Sequence, residues 1–512
     1  MASPTRRVAI VGGGIAGMAC SWELRKHDCS VDMYESASRL GGHANSVPFE
    51  GNGASVDVDT GFIAMDEPTY LHGLMFDIAQ FTAFLGQLGV ATMPTDMSFG
   101  VSTADGAFEW SSRSVWSFVG TPSRLLKPWF WRLMLDVMRF SLFARDILDE
   151  SRDGESSGNE TDAIEGHLET IGHYLTRQGY SEQFMTLFLM PMVAAPWCID
   201  PDDFAANFPA KPLVHFMAKH GLLDTVTKRL RWRSFRNGSK TYVDAFRRSL
   251  PPRHRLHLST PVHGVARGGK GVLLSFADGS RQAYDHVVLA VHANQALALM
   301  GGDATGLERR ILGAFKTSRN VCYLHSDTRH LPKCRRARSA WNCFLEPNKL
   351  VQDDKLQDDK LVQDKPCSSK TISITFDMNK LQAIPLPGEP GSPGRVLVTM
   401  NPTRCPRSVQ SSHVYYHPLI SSESVLMTRH MHSINGVAAI SFAGAWMGLG
   451  FHEDGFAAGV HAARVLVNGR DKTCPLDLIP DAKSDSLTRV GLVRALLRLG
   501  VVIVLRLLQL LE

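Results

Sequence analysis

The first apolar run of the chain, Val8-Ala9-Ile10-Val11, is uninterrupted and closed by glycine, which predicts a buried strand. A helical pattern follows through Cys20 toward Lys26, and a second strand, Val31-Asp32-Met33-Tyr34-Glu35, ends in an acid. Tyr70 to Gly89 reads as helix and Met97 to Glu109 as short strands. Trp116 to Leu148 is helix-like, with bulky apolar positions at Leu125, Trp129, Phe130, Leu133, Met134 and Phe140. Ser151 to Thr161 is a polar break, after which helical patterns run from Ile164 to about Leu230. Strands return at Arg255 to Val265, at Gly271 to Ala277 with the turn Asp278-Gly279, and at His286 to Val291. Residues 301–434 are less regular. Ala438 to Phe442 reads as a last strand, and a helix is expected from about Gly455 to Asn468.

Two segments stand apart. Lys349 to Lys365 repeats Lys, Leu, Gln and Asp and offers few large apolar residues to offset the entropy of ordering, so a solvated insertion is expected. Val490 to Glu512 is almost all Leu, Val and Ile, interrupted by Arg494, Arg498, Arg506 and Gln509. At helical spacing these polar residues, with Glu512, gather on one side of a helix. Three arginines make a membrane span costly. Two readings stay open: a helix lying in the membrane interface, and a helix docked on the protein's own core.

The first strand–helix junction carries chemistry. In Gly12-Gly13-Gly14-Ile15-Ala16-Gly17, Gly12 permits a tight turn, Gly14 lets backbone approach a pyrophosphate, and Gly17 lets the helix pack on the strand. The helix N-terminus then faces phosphate charge. Glu35, eighteen residues after Gly17, stands where a carboxylate accepts hydrogen bonds from ribose hydroxyls. Strand before, helix after and acid at this distance together define a dinucleotide-binding βαβ unit.

Length and composition narrow the rest. A chain of 512 residues predicts two or three domains. A net charge of +5 is mild and no aromatic-basic motif accompanies it, so nucleic acid is not an expected partner. Nine cysteines without a CxxC spacing argue against a disulfide scaffold and a zinc site, no metal site is expected, and a reducing, cytoplasmic setting follows. Arg6-Arg7 precede an apolar stretch as in an export signal, but that stretch is the glycine fingerprint. The basic run Lys228 to Arg233 around Trp232, the apolar 116–148 stretch and the tail together suggest a lipophilic substrate and peripheral contact with anionic lipid.

Further motifs sharpen the reading. Arg39-Leu40-Gly41-Gly42-His43 follows the acid, Val56 to Phe62 forms a strand and turn, and Phe442-Ala443-Gly444-Ala445-Trp446 leads to Gly450-Phe451-His452-Glu453-Asp454-Gly455. This order resembles the flavin-containing amine oxidase superfamily. With Asp59 to Ile63, Met97 to Phe99, Gly238 to Tyr242, Leu324 to Asp327, Ala340 to Asn342, Met378 to Gln382 and Thr399 to Pro402, it resembles one subgroup over residues 7–468: amine-oxidase-like proteins associated with cyclopropane fatty acid synthases.

The resemblance implies an α/β fold: a two-part Rossmann-like FAD-binding domain with a mixed sheet-plus-helix substrate domain. On this reading residues 1–66, 235–300 and 435–470 build the FAD domain, 67–234 and 301–434 the substrate domain with an insertion at 349–365, and 471–512 a tail with an amphipathic helix at 490–512. It implies cofactor contacts from Gly12, Gly14, Ile15, Ala16, Gly17, Glu35, Arg39, Gly41, Gly42, His43, Gly61, Val262, Gly444, Ala445, Trp446, Phe451 and Glu453, with Glu453 near the ribityl chain and the helix N-terminus at the flavin pyrimidine. His43 is expected beside the flavin's dimethylbenzene edge, with a covalent link as the lesser reading. His452 is the catalytic candidate, because an imidazole titrates near neutrality and relays protons.

The implied activity is hydride transfer from a substrate C–H to flavin N5, the substrate being a lipophilic acyl, polyketide or terpenoid chain or an amine. Phe451-His452 stands before the helix glutamate where amine oxidases often have tyrosine, so the aromatic cage lacks its hydroxyl. Lys240 and Lys316 match the active-site lysine by position only, Asn379 and Asn401 are candidates for the substrate side, and His325 and His417 read as structural. A redox-neutral isomerase or cyclase and a non-catalytic escort protein of the same fold are the alternatives.

Overall fold

The computed structural model describes residues 5–66, 80–103, 106, 108–149, 168–224, 231–269, 271–345, 372–469, 478 and 492–509. In chain order, the elements that position the site are β1 (Arg6–Val11), α1 (Ile15–Leu24), β2 (Cys29–Tyr34), β3 (Ser46–Gly51), β4 (Ala54–Asp59), α2 (Gln80–Gln87), α3 (Pro128–Phe143), α4 (Lys240–Arg248), β5 (His254–His257), β6 (His286–Leu289), β7 (Lys316–His325), β8 (Val409–Leu419), β9 (Ile440–Phe442), α5 (His452–Asn468) and α6 (Leu492–Gln509).

A parallel five-stranded sheet has the order β5-β2-β1-β6-β9. Its central strands are continuous apolar runs because both faces are covered: Val8, Ala9 and Ile10 of β1 and Val287, Val288 and Leu289 of β6 are fully buried. Its strands come from three separated stretches of chain. Helices α1 and α5 pack on each other through glycine: a Cβ at Gly459 would collide with the Ala16 carbonyl, and one at Gly455 would meet the Ile15 side chain at 2.7 Å.

The second layer is a seven-stranded sheet. It runs from β8 to β7, then Leu397–Met400, Ser373–Asp377, Trp341–Leu345, Phe99–Thr103 and Glu109–Ser111. All its pairs are antiparallel except Trp341–Leu345 with Phe99–Thr103. Helices between α3 and Ala210–Lys219 enclose a third core around Phe184, Trp197, Phe204 and Phe208. A small antiparallel meander, Val262–Gly268, Gly271–Phe276 and Arg281–Tyr284, sits beside the parallel sheet.

Several elements differ from the sequence pattern. Trp116 to Leu148 is not one helix: it breaks into Val115–Val119, a 3-10 turn at Pro122–Leu126, α3 and Asp146–Asp149. Pro122 and Pro128 each lack the amide hydrogen a continuous helix needs, so each begins an element. Arg255 to Val265 splits into β5 and the first meander strand, parted by Ser259 at φ +50° and by Pro261. The irregular 301–434 stretch supplies most of the seven-stranded sheet, including β7 and β8. The last strand begins only at Ile440, because Ala438 and Ala439 are left-handed at φ +47° and +62°. Helix α5 starts at His452, three residues before Gly455. The Lys349–Lys365 repeat and the Ser151–Thr161 break lie outside the described residues. Among the described residues no single helix is long and apolar enough to cross a membrane.

Candidate active site

The site grows from two glycine turns. Gly12 has φ +110°, closed to side-chain-bearing residues, and its amide donates to the Tyr34 carbonyl at 2.8 Å. The chain can then enter α1, whose N-cap Gly14 supplies no side-chain cap. Around the place a Cβ would occupy on Gly14 there is nothing within 4 Å, whereas one on Gly17 would collide with the Gly12 carbonyl. Gly41, also at φ +110°, donates to the Gly13 carbonyl at 2.9 Å, which lays the second turn on the first. A Cβ at Gly42 would stand 3.3 Å from the Gly14 Cα. The result is an open cradle over the amide end of a helix, with Ile15 and Ala16 buried in its first turn.

Charged side chains hold the cradle's walls. Glu35 accepts from the Gly13 amide at 2.8 Å on one oxygen, and from the Ala37 amide at 2.8 Å and Ser36 Oγ at 3.2 Å on the other. Arg39 donates to the carbonyls of Gly42 at 2.9 Å and of Leu40 and Ala44 at 3.2 Å, clamping the second turn. Val262 lies two residues beyond Thr260, whose amide donates to the Glu35 carbonyl at 2.9 Å, so the meander starts at the Glu35 end of the cradle.

His43 follows the second turn and packs against Tyr415, His417 and His292, with ring centroids 5.1, 5.6 and 6.2 Å away. Its carbonyl accepts from the Phe62 amide at 2.8 Å, and a Cβ at Gly61 would collide with that carbonyl. The ring bonds to the Tyr416 backbone while Nε2 has no partner, so Nδ1 makes that bond and Nε2 is left as a buried, unanswered nitrogen. Burial, then the neighbouring histidines, hold His43 well below the usual imidazole range, and burial puts His417 at about 4. His417 accepts from Asn320 Nδ2 at 3.2 Å, and His325 bonds Thr399 Oγ1 at 2.7 Å.

The first turn of α5 forms the far wall. His452 stacks on Phe62, centroids 3.5 Å apart and planes within 8°, and its Nε2 lies 3.0 Å from the Tyr242 hydroxyl. Phe81 of α2 meets the same ring edge-on at 5.5 Å. The near-neutral titration expected of His452 is corrected here: burial lowers it to about 3, so the ring stays uncharged at physiological pH. Glu453 accepts from the amides of Gln80 at 2.6 Å and Phe81 at 3.0 Å, and burial still raises it to about 7. Asp454 accepts from the amides of Leu449 and Phe451, both at 3.0 Å. Gly444 lies against the Trp446 indole, and Ala445 opens the short turn that carries it. Trp446 Nε1 donates to the Val291 carbonyl at 2.9 Å, with the ring 4.6 Å from Phe315.

Some candidates are turned elsewhere. Phe451 stacks on Phe216 at 5.0 Å and meets Trp197, inside the helical core. Lys240 pairs with Asp57 near the surface and Lys316 is exposed at the start of β7, so neither serves as the active-site lysine. The Asn379 amide is consumed by Pro385, Gly394 and Val396, and that of Asn401 by Asn320 and Val321. Sequence spacing missed Phe62, Phe81 and Tyr242 around His452. It also missed Asp59, which is fully buried and accepts from Ser46 Oγ at 2.6 Å and from Ser239 N at 2.8 Å and Oγ at 2.7 Å. The strings Asp59 to Ile63 and Gly238 to Tyr242 held Asp59, Phe62 and Tyr242 but not Phe81, and nothing in the sequence says that they touch.

An uncapped helix end opening on the glycine cradle, a carboxylate at its rim and an unanswered buried imidazole nitrogen beyond it suit an adenine dinucleotide carrying a redox ring. The sequence profile of flavin containing amine oxidoreductases matches residues 15–325, more than half of the chain. The chain belongs to that family, its cofactor is FAD, and it is an FAD-dependent oxidoreductase.

Among solved structures it is similar to a CLA-producing fatty acid isomerase from P. acnes (14% identity, TM-score 0.59, covering 91% of this chain and 99% of that one). Cyclohexylamine oxidase from Brevibacterium oxydans IH-35A gives 15% identity and a TM-score of 0.59, with 91% and 99% covered. Putrescine oxidase bound to putrescine gives 15% and 0.59, with 90% and 99% covered. At these identities the likeness is one of fold. No curated protein matches the chain.

Proposed function

We propose that this oxidoreductase acts on a lipophilic substrate, an acyl, polyketide or terpenoid chain in preference to an amine. We also place it among the amine-oxidase-like proteins associated with cyclopropane fatty acid synthases, on the motif strings named above. When bound, FAD supplies the two-electron acceptor, N5 receiving a hydride from a substrate C–H bond. The residues hold the reacting carbon and exclude water. His452, fixed by the Phe62 face and the Tyr242 hydroxyl, keeps a neutral polar edge at the α5 N-terminus, and the first turn of that helix favours negative charge developing nearby.

The observation that carries the reading is the uncharged aromatic setting of His452: Phe62, Phe81 and Tyr242 surround it, and neither candidate lysine reaches it. Aromatic faces give dispersion contact to an alkyl or alkenyl chain, and none of these residues offers a carboxylate to pair with an ammonium group. The test is anaerobic flavin bleaching by a panel of amines, fatty acyl chains and polyenes. Bleaching by acyl chains or polyenes supports the proposal, and bleaching by amines alone overturns it. Conversion of an unsaturated chain without net bleaching would replace it with the isomerase or cyclase reading.

A further inference from the structure

The tail helix docks through Arg498 and Val501. Arg498 donates to the Leu142 carbonyl at 2.7 Å and to Asp146 Oδ1 at 2.5 Å, and its guanidinium lies 4.8 Å from the Phe143 ring centre. Val501, three residues on and on the same side of the helix, is 4% exposed. On the opposite side Leu496, Leu499 and Ile503 are 60%, 58% and 50% exposed. A helix docked only to complete a soluble surface turns its apolar stripe inward. Here an ion pair and a carbonyl contact hold Arg498, while among the described residues Leu496, Leu497, Leu499 and Ile503 stay exposed.

The helix beneath continues this surface. Trp131, Met138 and Leu142 recur along α3 at spacings of seven and four, one helical face. Trp131 and Met138 are exposed, and Arg498 of α6 binds at the Leu142 end of that face. Trp116 and Leu126, exposed by 66% and 84%, precede α3, Leu126 on the 3-10 turn packed against it and Trp116 on the short helix Val115–Val119 packed against that turn. Large exposed apolar surfaces of this kind mark an interaction site.

Charge selects the occupant. Residues 110–135 contain Arg113, Arg124, Lys127 and Arg132 and no acid, and residues 489–511 contain Arg489, Arg494, Arg498 and Arg506 and no acid. Arg113 and Lys127 are exposed. A second copy of the chain laid on this face would bring cationic stretches together, whereas anionic lipid headgroups complement them, and exposed tryptophans suit the headgroup level.

We propose that α6 and the outer face of α3 with its preceding turns form a monotopic docking surface for an anionic lipid bilayer. The apolar side of α6 enters the headgroup–acyl boundary while Arg498 fastens the helix to the protein. The surface stands apart from the cradle and does not depend on which substrate the flavin oxidises.

The test is co-sedimentation of the full-length flavoprotein with vesicles of phosphatidylglycerol and phosphatidylcholine, against phosphatidylcholine alone, at two salt concentrations. The double variant L499D/I503D changes only outward positions, and its flavin absorbance and thermal midpoint report that it is folded. The expected result is binding to the anionic vesicles that weakens with salt and falls on the order of tenfold in the variant. Absence of binding to anionic vesicles, or equal binding by the folded variant, overturns the proposal. So does a concentration-dependent dimer in light scattering that the variant dissolves without any vesicle binding, which would assign the face to a second copy.

Discussion

Asp59→Asn tests how the two turns are tied to the rest of the site. Asp59 closes β4 and grips Ser46 and Ser239, and so holds the strand after the Gly-Gly turn to the start of α4, which carries Tyr242. Three donors face the carboxylate, yet burial outweighs them and raises it from 3.8 to about 6. A group whose folded value is raised binds its proton more tightly in the native state. Its contribution is therefore full below the unfolded value near 4 and is lost as pH rises through 6. A shift of about two units corresponds to about 3 kcal/mol.

Unfolding entropy of about 2.1 cal/mol/K per residue makes 1 kcal/mol worth about 1 °C in a chain this long. Other carboxylates titrate in the same range, but they cancel in the difference between wild type and Asp59→Asn. The wild-type midpoint minus the variant midpoint, followed by flavin-fluorescence melting, should therefore fall by about 3 °C between pH 4 and pH 7 and then level off. A constant difference, or one that grows with pH, would refute the reasoning. It would mean that the Ser46 and Ser239 hydrogen bonds outweigh the burial.

Three further outcomes follow. Tyr242→Phe leaves His452 Nε2 without its partner beside the buried Tyr242 ring and should cost about 1–3 kcal/mol, read by chemical denaturation; a loss of a few tenths would show the bond is unimportant. Glu453→Gln removes a group that titrates near pH 7, so a step in the bound flavin's absorbance near that pH should be present in wild type and absent in the variant. Arg498→Ala unties α6 from α3, and limited proteolysis should cut the tail faster while the main melting midpoint changes by less than about 1 kcal/mol equivalent, since the ion pair is partly exposed.

The parts of the fold legible in the sequence were the locally encoded ones. The β1–turn–α1–β2 unit is contiguous, and its glycines, apolar runs and acid each answer a need arising within thirty residues. Strands β7 and β8 were hidden because their buried positions include Asn320, His325 and Tyr415, so no simple apolar alternation marks them. The helix expected over 116–148 failed at prolines that the apolar pattern overrides only on paper.

At the site, His452, Glu453 and the glycine turns could be named from motifs. Their partners could not, because Tyr242 lies 210 residues from His452 and Ser239 lies 180 from Asp59. The titration expected of His452 failed for the same reason. The neutral-pH value belongs to a hydrated imidazole, and only the folded chain shows Phe62 and Phe81 in place of water.

The central claim is that the turns at Gly14 and Gly42 and the first turn of α5 enclose one FAD. Flavin stoichiometry of the purified chain tests it most directly, measured beside a Gly14→Glu variant whose folding is checked by circular dichroism. The account predicts one FAD per wild-type chain and a folded, colourless variant. A colourless wild type, or a Gly14→Glu chain that retains full flavin, would contradict it.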